Sequence, residues 1–309
     1  MKIDDHSETS LFRLLKNNEL CISLPPFVVR FQSNVPSIAR DIRLVYGDFE
    51  CLDGDVFSDF HVELRYLSQL NRWVNPKIQF FFDGQPSFSR LSADQAFPTL
   101  EWGLNWCVAA HSHQYLIIHA AVIERNGDAV ILPAPPGSGK STLCAALVHR
   151  GWRLLSDELA LFDFNSGLVF GMARPVSLKN QSIDVVHAFE PNAIFTEPVK
   201  TDSKGLVALM KPPTESVVRV KESARPKWVI LPKYLPDSEA VLESESPAKT
   251  FLLIAEQSFN YDLHGQRGFD AVGKLLDQCH CARFTYSRLD DAVSLFSKLE
   301  AAFDECRIT

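Results

Sequence analysis

No run of 18 apolar residues occurs in the 309-residue chain, so no segment reads as a membrane-spanning helix. The first twenty residues, MKIDDHSETSLFRLLKNNEL, lack the basic start, apolar stretch and small-residue cleavage site of a secretory signal. The expectation is a cytoplasmic protein with no membrane partner. Positive charge is also in short supply: 31 lysines and arginines face 38 acidic side chains, a formal charge of −7, which speaks against a general attraction to nucleic acid. The seven cysteines, at 21, 51, 107, 144, 279, 281 and 306, are odd in number and scattered, unlike a disulfide framework. The Cys279-His280-Cys281 triplet has no second pair at zinc-finger spacing and reads as buried small side chains beside one polar group. Internal repeats and long low-complexity tracts are missing too.

What is present is enough apolar material, 46% of residues, for one large core or two smaller ones. Between residues 20 and 90 short runs such as FVVRF, IRLVYG, VFSDFHVELRYL and KIQFFFDG alternate in hydropathy and are broken by Pro25-Pro26, Gly47-Asp48 and Asp53-Gly54. They predict a small, mostly antiparallel sheet, and a β-rich N-terminal domain is expected over 1–98. AFPTLEWGLNWCVAAHSHQ (96–114) has helical spacing and bridges to a second domain, expected over 99–309. There YLIIHAAVIE and DAVILPA predict a hairpin turning at Asn126-Gly127, and STLCAALVHR predicts a helix closed by Gly151. WRLLSDE follows as a buried strand ending in two acids, then a hairpin turning at Asn165-Ser166-Gly167. PAKTFLLIAEQSFNY and DDAVSLFSKLEAAFDE are helical in period, and KPPTESVVRVKESARPK (211–227) reads as a mobile loop.

The stretch with the clearest chemistry is APPGSGKST, residues 134–142. Strand, glycine-containing turn, Lys-Ser and helix, in that order, are the context of a phosphate-binding loop. Backbone amides of Ser138, Gly139, Lys140, Ser141 and Thr142 would face phosphate oxygens, with the helix dipole adding a favourable field. Gly137 and Gly139 would let the chain approach closely, Lys140 would neutralise the β- and γ-phosphates, and the Ser141 hydroxyl would hold Mg²⁺. Ala134 stands where the usual pattern has its first glycine, but upstream of these donors. Asp157-Glu158 would lie beside the phosphates, where one carboxylate can orient Mg²⁺ and the other accept a proton from a hydroxyl. His119, on an apolar strand, reads by itself as either a core residue or a functional one.

Together these residues resemble the catalytic domain of HPr kinase/phosphorylase, and especially the HPr-kinase-related kinases. In that family a strand histidine precedes the loop lysine by 21 residues and an acidic pair begins 17 residues after it; His119, Lys140 and Asp157-Glu158 keep both intervals. The close match runs from about Tyr115 to Phe162, with looser likeness in RPVSLKNQS, SKGLVALMKPP and QSFNY. The resemblance implies an α/β fold with a P-loop kinase core of the HPr kinase/PEP carboxykinase type, a mixed sheet, and ATP and Mg²⁺ as cofactors. By position it implies Asp157 as the catalytic base tuned by His119, and Glu158 in place of a second aspartate at the metal. Arg174 and Lys179, and with them Lys204, are cations that could touch phosphate or substrate.

The function expected is therefore an ATP-dependent serine kinase acting on a small protein or peptide, with homo-oligomers among the assemblies the resemblance implies. A nucleotide-binding or ATPase module of a peptide-modification complex, and a P-loop kinase for a small molecule, use the same loop and stay open.

Overall fold

The computed structural model describes residues 1–54, 56–67 and 76–299. Ser7 caps α1 (Glu8–Lys16) by accepting the Ser10 amide. β1 (Leu20–Leu24) and β2 (Phe27–Ser33) follow. α2 (Pro36–Tyr46) comes next, with Pro36 in its first turn and Ile38, Ala39, Ile42, Val45 and Tyr46 buried. The IRLVYG run is thus helical rather than a strand: its apolar residues continue the i, i+3/i+4, i+7 series that begins at Ile38, a period the short run hides. β3 (Cys51–Leu52), β4 (Phe60–Tyr66), β5 (Lys77–Phe82), β6 (Gln85–Pro86) and β7 (Leu91–Ser92) complete a sheet of order β3-β1-β2-β4-β5-β6, with β7 also on β5. All its pairings are antiparallel except β2 with β4. α3 (Ala96–His111) closes this part of the chain, and a Cβ at its Gly103 would run into the Phe80 ring.

β8 (Tyr115–Arg125) and β9 (Asp128–Pro133) form the expected hairpin, with Asn126 and Gly127 both at positive φ. α4 (Lys140–Val148), β10 (Arg153–Ser156), β11 (Leu159–Asp163) and β12 (Val169–Phe170) come next. Beyond them lie β13 (Val176–Lys179), α5 (Gln181–Phe189), β14 (Val199–Thr201), β15 (Gly205–Met210) and α6 (Thr214–Val218). The segment expected to be a mobile loop holds α6 and the start of the next strand. The described residues end in β16 (Arg225–Tyr234), β17 (Val241–Ser244), α7 (Pro247–Glu256), α8 (Tyr261–His264), α9 (Gln266–Asp277), β18 (His280–Tyr286) and α10 (Leu289–Ser297).

The chain divides into two compact units, and the division is not the continuous one expected at residue 98. One unit comprises Met1–Val108, Arg174–Ile183 and Ala193–Val220; the other comprises Ala109–Ala173, Asp184–Asn192 and the chain from Lys221 onward. Within the first unit the returning segments form a second, antiparallel sheet of order β13-β15-β14. They are fastened to α3 by a buried polar cluster. The Arg174 guanidinium donates to the Glu101 carboxylate at 2.9 Å, and the Tyr46 hydroxyl donates to the same carboxylate at 2.6 Å.

The second unit is a mixed α/β layer structure around a sheet of order β12-β11-β8-β9-β16-β18-β17. β9, β16 and β18 run parallel; β8, β11, β12 and β17 pair antiparallel with their neighbours. Even-numbered residues of β8, Leu116, Ile118, Ala120 and Val122, pack with Ile254 of α7 and Val272 and Leu275 of α9. The odd-numbered residues, His119 among them, point to the opposite face. β10 pairs with the far end of β8, and Arg153 there is buried against Glu124, whose carboxylate also accepts the Gly127 amide at 2.6 Å. This pair fixes both the β8–β9 turn and the entry to the acidic strand end. Removing one partner leaves a buried charge without its counter-ion, so Arg153→Met is expected to cost about 3–5 kcal/mol in urea denaturation of the full chain, with the Glu124→Leu/Arg153→Met double variant recovering much of it.

Candidate functional site

Three local features of the second unit meet beside the start of α4. The first is the turn after β9. Ala134 is buried and does not lie among the positive-φ residues, so the position lacking the usual glycine does not require one. Gly137 and Gly139 do: their φ values are +84° and +88°. The Ser138 amide bonds back to the Pro135 carbonyl at 3.3 Å, which removes it from the five amides expected to face a ligand. Lys140, Ser141 and Thr142 form the first turn of α4, where amides have no intrahelical acceptor, and the N-cap Gly139 offers no side chain to take their place. An oxyanion is the natural partner of such an end.

The second feature is the strand pair that carries His119 and the acids. His119 is paired with Leu159 and Ser156 with Val122, so Asp157-Glu158 fall between these two fixed points, just past an irregularity at Leu154–Ser156. The Ser156 hydroxyl accepts the Leu159 amide at 2.9 Å and holds the connection tight. On the other edge of β8, after β9 has diverged, residues 257–259 take over: the His119 amide donates to the Gln257 carbonyl at 2.7 Å and the Phe259 amide to the Ile117 carbonyl at 2.9 Å. The buried Asn260 side chain accepts from the Ile117 amide at 3.0 Å and donates to the Tyr115 carbonyl at 2.8 Å. The Phe259 ring stands edge-on to the imidazole at 5.9 Å.

The third feature is the line of charge these elements create. The Lys140 ammonium lies 3.3 Å from His119 Nε2, and His119 Nδ1 lies 3.3 Å from a Glu158 carboxylate oxygen. Lys140 is 7% exposed, whereas the His119 and Glu158 side chains keep 23% and 21% of their surface. Asp157 is more deeply placed, at 3%. It lies against α4: burial first, and the Asp157 charge second, push the Cys144 thiol well above its usual range, while Lys140 acts in the opposite direction. Of the two carboxylates, Glu158 therefore faces the accessible imidazole and Asp157 sits under the helix.

Two tyrosines absent from the sequence-based expectations hold the loop. The Tyr286 hydroxyl donates to the Gly139 carbonyl at 2.8 Å, and the Tyr234 amide donates to the Ser138 carbonyl at 2.8 Å. They end β18 and β16, of which β16 pairs with β9 and β18 lies beyond it, all three parallel, where loops at the carboxyl ends of strands converge. Burial, with a smaller contribution from Tyr234, raises the Tyr286 phenol above its ordinary value and keeps it a donor.

The remaining predicted cations belong to the other unit. Arg174 is buried and its charge is already matched by Glu101. Its proximity in sequence to the acidic pair did not signal this; the acid at position 101, inside an otherwise apolar helix, was the missed cue. The Lys179 amide and carbonyl bond the Ser182 hydroxyl at 2.7 Å, and the Lys204 ammonium sits 4.0 Å over the Trp102 ring. None of the three is needed to build the His119–Lys140–Glu158 arrangement.

Comparison with known proteins adds little beyond this geometry. A family model described as "SynChlorMet cassette protein ScmC" matches residues 100–170, a minor part of the chain that includes His119, the 134–142 loop and Asp157-Glu158. No curated protein matches. Among solved structures the chain is similar to the Hpr(Ser) kinase/phosphatase from Coxiella burnetii, with 11% identity over 60% of this chain and 97% of that one and a TM-score of 0.29. A likeness at that TM-score does not establish a shared fold. No helix among the described residues is long and apolar enough to cross a membrane.

The two loop glycines should differ in tolerance. A Cβ on Gly137 meets open space, so Gly137→Ala carries only the cost of positive φ, about 1–2 kcal/mol; a Cβ on Gly139 collides with the Tyr286 hydroxyl as well. In urea denaturation of the full chain, Gly139→Ala should be the more damaging, and adding Tyr286→Phe to it should recover part of the loss. Equal penalties, or no recovery, would show that the Tyr286 hydroxyl does not limit the space at Gly139.

Proposed function

We propose that this chain is an ATP-dependent phosphotransferase that moves the terminal phosphoryl group of ATP to a hydroxyl, a serine of a small protein or peptide being the acceptor class. One observation carries the reading: a lysine ammonium at an uncapped helix start, behind two positive-φ glycines, in line with an imidazole and a carboxylate on the adjacent strands. A helix start that only joined a strand to a helix would not need a buried lysine aimed at a histidine-carboxylate pair. Phosphoryl transfer needs cations and amides around the phosphates and a proton acceptor for the attacking oxygen, and both kinds of group are present. The acceptor class rests on the resemblance to HPr-kinase-related kinases.

The donors near the loop suit Mg²⁺. They are hard oxygens, the Ser141 hydroxyl and the Asp157 carboxylate, and no cluster of three or more His, Cys, Asp or Glu able to hold a metal occurs among the described residues. That set fits a cation that arrives with the phosphates and takes one or two protein oxygens. Bound there, it would neutralise charge on the phosphate oxygens. The assignment puts Asp157 rather than Glu158 on the metal side, because Glu158 is turned to His119.

The chain's own groups supply the rest. Amides of Lys140, Ser141 and Thr142 would bind phosphate oxygens, the Lys140 ammonium would offset their charge, and the loop anchored by Tyr234 and Tyr286 would hold the group in place. The test is phosphate accounting with the full chain, γ-labelled ATP and a mixture of serine-containing peptides. Label on peptide is the expected result; free phosphate alone would make the chain an ATPase, and failure to bind ATP would end the reading. Lys140→Ala should weaken ATP binding about 10- to 100-fold, the worth of a charge-assisted bond to phosphate, as measured by titration with a fluorescent ATP analogue. Unchanged affinity would remove Lys140 from the site.

A further inference from the structure

Lysine ammonium groups have three donors and no lone pair, so the 3.3 Å contact between Lys140 and His119 can be a hydrogen bond only if Nε2 carries no proton. The imidazole is then neutral with its hydrogen on Nδ1, and Nδ1 is the nitrogen that faces the Glu158 carboxylate at 3.3 Å. Both contacts agree on one tautomer. An imidazolium would place a second donor against the ammonium, and the opposite tautomer would leave the Glu158 carboxylate facing a bare nitrogen. The backbone that carries the ring is held on both edges of β8, by Leu159 and by Gln257, and the Phe259 ring packs T-shaped against the imidazole.

A carboxylate behind Nδ1–H and a lone pair on Nε2 is the arrangement by which a histidine takes a proton from a hydroxyl and is stabilised as an imidazolium. Here that lone pair is covered by Lys140, the group the proposed function assigns to phosphate. We infer that a bound nucleotide draws the Lys140 ammonium onto its phosphates and thereby uncovers His119 Nε2, which accepts the acceptor hydroxyl's proton, with Glu158 as the positioning residue behind it. The inference rests on the nucleotide reading above and moves the proton acceptor from Asp157, where position in sequence puts it, to His119. In the transfer itself the acceptor's O–H bond breaks with its proton going to Nε2. The hydroxyl oxygen forms a bond to the terminal phosphorus, and the bond from that phosphorus to the bridging oxygen breaks with its electron pair leaving on ADP. Charge balances, since Glu158 remains anionic beside the imidazolium.

Two measurements on the full chain decide it. Ring ¹⁵N spectra of histidine-labelled protein, with His119 assigned by its loss in His119→Gln, should show a protonated Nδ1 and a bare, hydrogen-bonded Nε2 in the free chain. Adding Mg²⁺ with adenylyl imidodiphosphate should shift Nε2 toward a free lone pair, and Lys140→Met should give that shift without nucleotide. An imidazolium, the opposite tautomer, or a ring unmoved by bound nucleotide would overturn the inference. Single-turnover release of phosphate from γ-labelled ATP, with water as the acceptor, supplies the second readout. His119→Ala should slow it about 10²- to 10⁴-fold while affinity for the analogue stays within about threefold, and added imidazole should restore part of the rate. An undiminished rate in His119→Ala would refute the base assignment yet leave the nucleotide reading standing. Wild-type protein that binds no nucleotide would refute that reading, with the tautomer in the free chain still deciding the Lys140–His119–Glu158 geometry.

Discussion

One hydrogen-bond register, that of the eleven-residue strand β8, governs the second unit. β8 is paired along one edge by β11 and β10 and along the other by β9 and the segment 257–259. A slip of one residue would turn every side chain to the opposite face, taking Ile118, Ala120 and Val122 out of the layer packed on α7 and α9 and His119 into it. Four pairing partners and a buried Asn260 make that slip costly. The placement of the imidazole, the acidic pair and the hairpin leading to the loop all follow from the same register.

Electrostatics then select what the register assembles. A lysine only 7% exposed gives up most of its contact with water, and His119, with Glu158 behind it, supplies a polar neighbour at 3.3 Å. The same logic appears elsewhere in the chain with a different outcome. Arg153 with Glu124, and Arg174 with Glu101, are pairs nearly closed to solvent, each fastening a turn or a returning segment. In the Lys140–His119–Glu158 line the middle and end members keep about a fifth of their surface, so this line is open to solvent where the other two pairs are closed.

Much of this was legible in sequence because it is local. The hairpin at Asn126-Gly127, the glycine turn, α4 and the return to Asp157-Glu158 are consecutive, so the intervals between His119, Lys140 and Asp157 encode the topology directly. The expected helix at 96–114 and the Asn165–Gly167 turn were readable for the same reason. What escaped was distant or hidden by a short window. Asn260 reaches Ile117 across 143 residues and Tyr286 reaches Gly139 across 147, with no pattern near the loop to announce them. The helix at Pro36–Tyr46 is hidden in sequence because IRLVYG spans too little of its period. Arg174 and Lys179 follow the acidic pair closely in sequence, yet the chain passes from one unit to the other between Ala173 and Arg174. The different environments of the two acids were also hidden, since they depend on a helix and a strand distant in sequence.

The account's central claim is that the start of α4 receives the terminal phosphates of a nucleotide beside His119. A structure of the full chain with Mg²⁺ and a non-hydrolysable ATP analogue tests it most directly. The account predicts the terminal phosphate within hydrogen-bond distance of the Lys140 ammonium and the amides of Lys140, Ser141 and Thr142. Nucleotide bound elsewhere, or Lys140 still on His119 with the phosphates absent from the helix start, would contradict it.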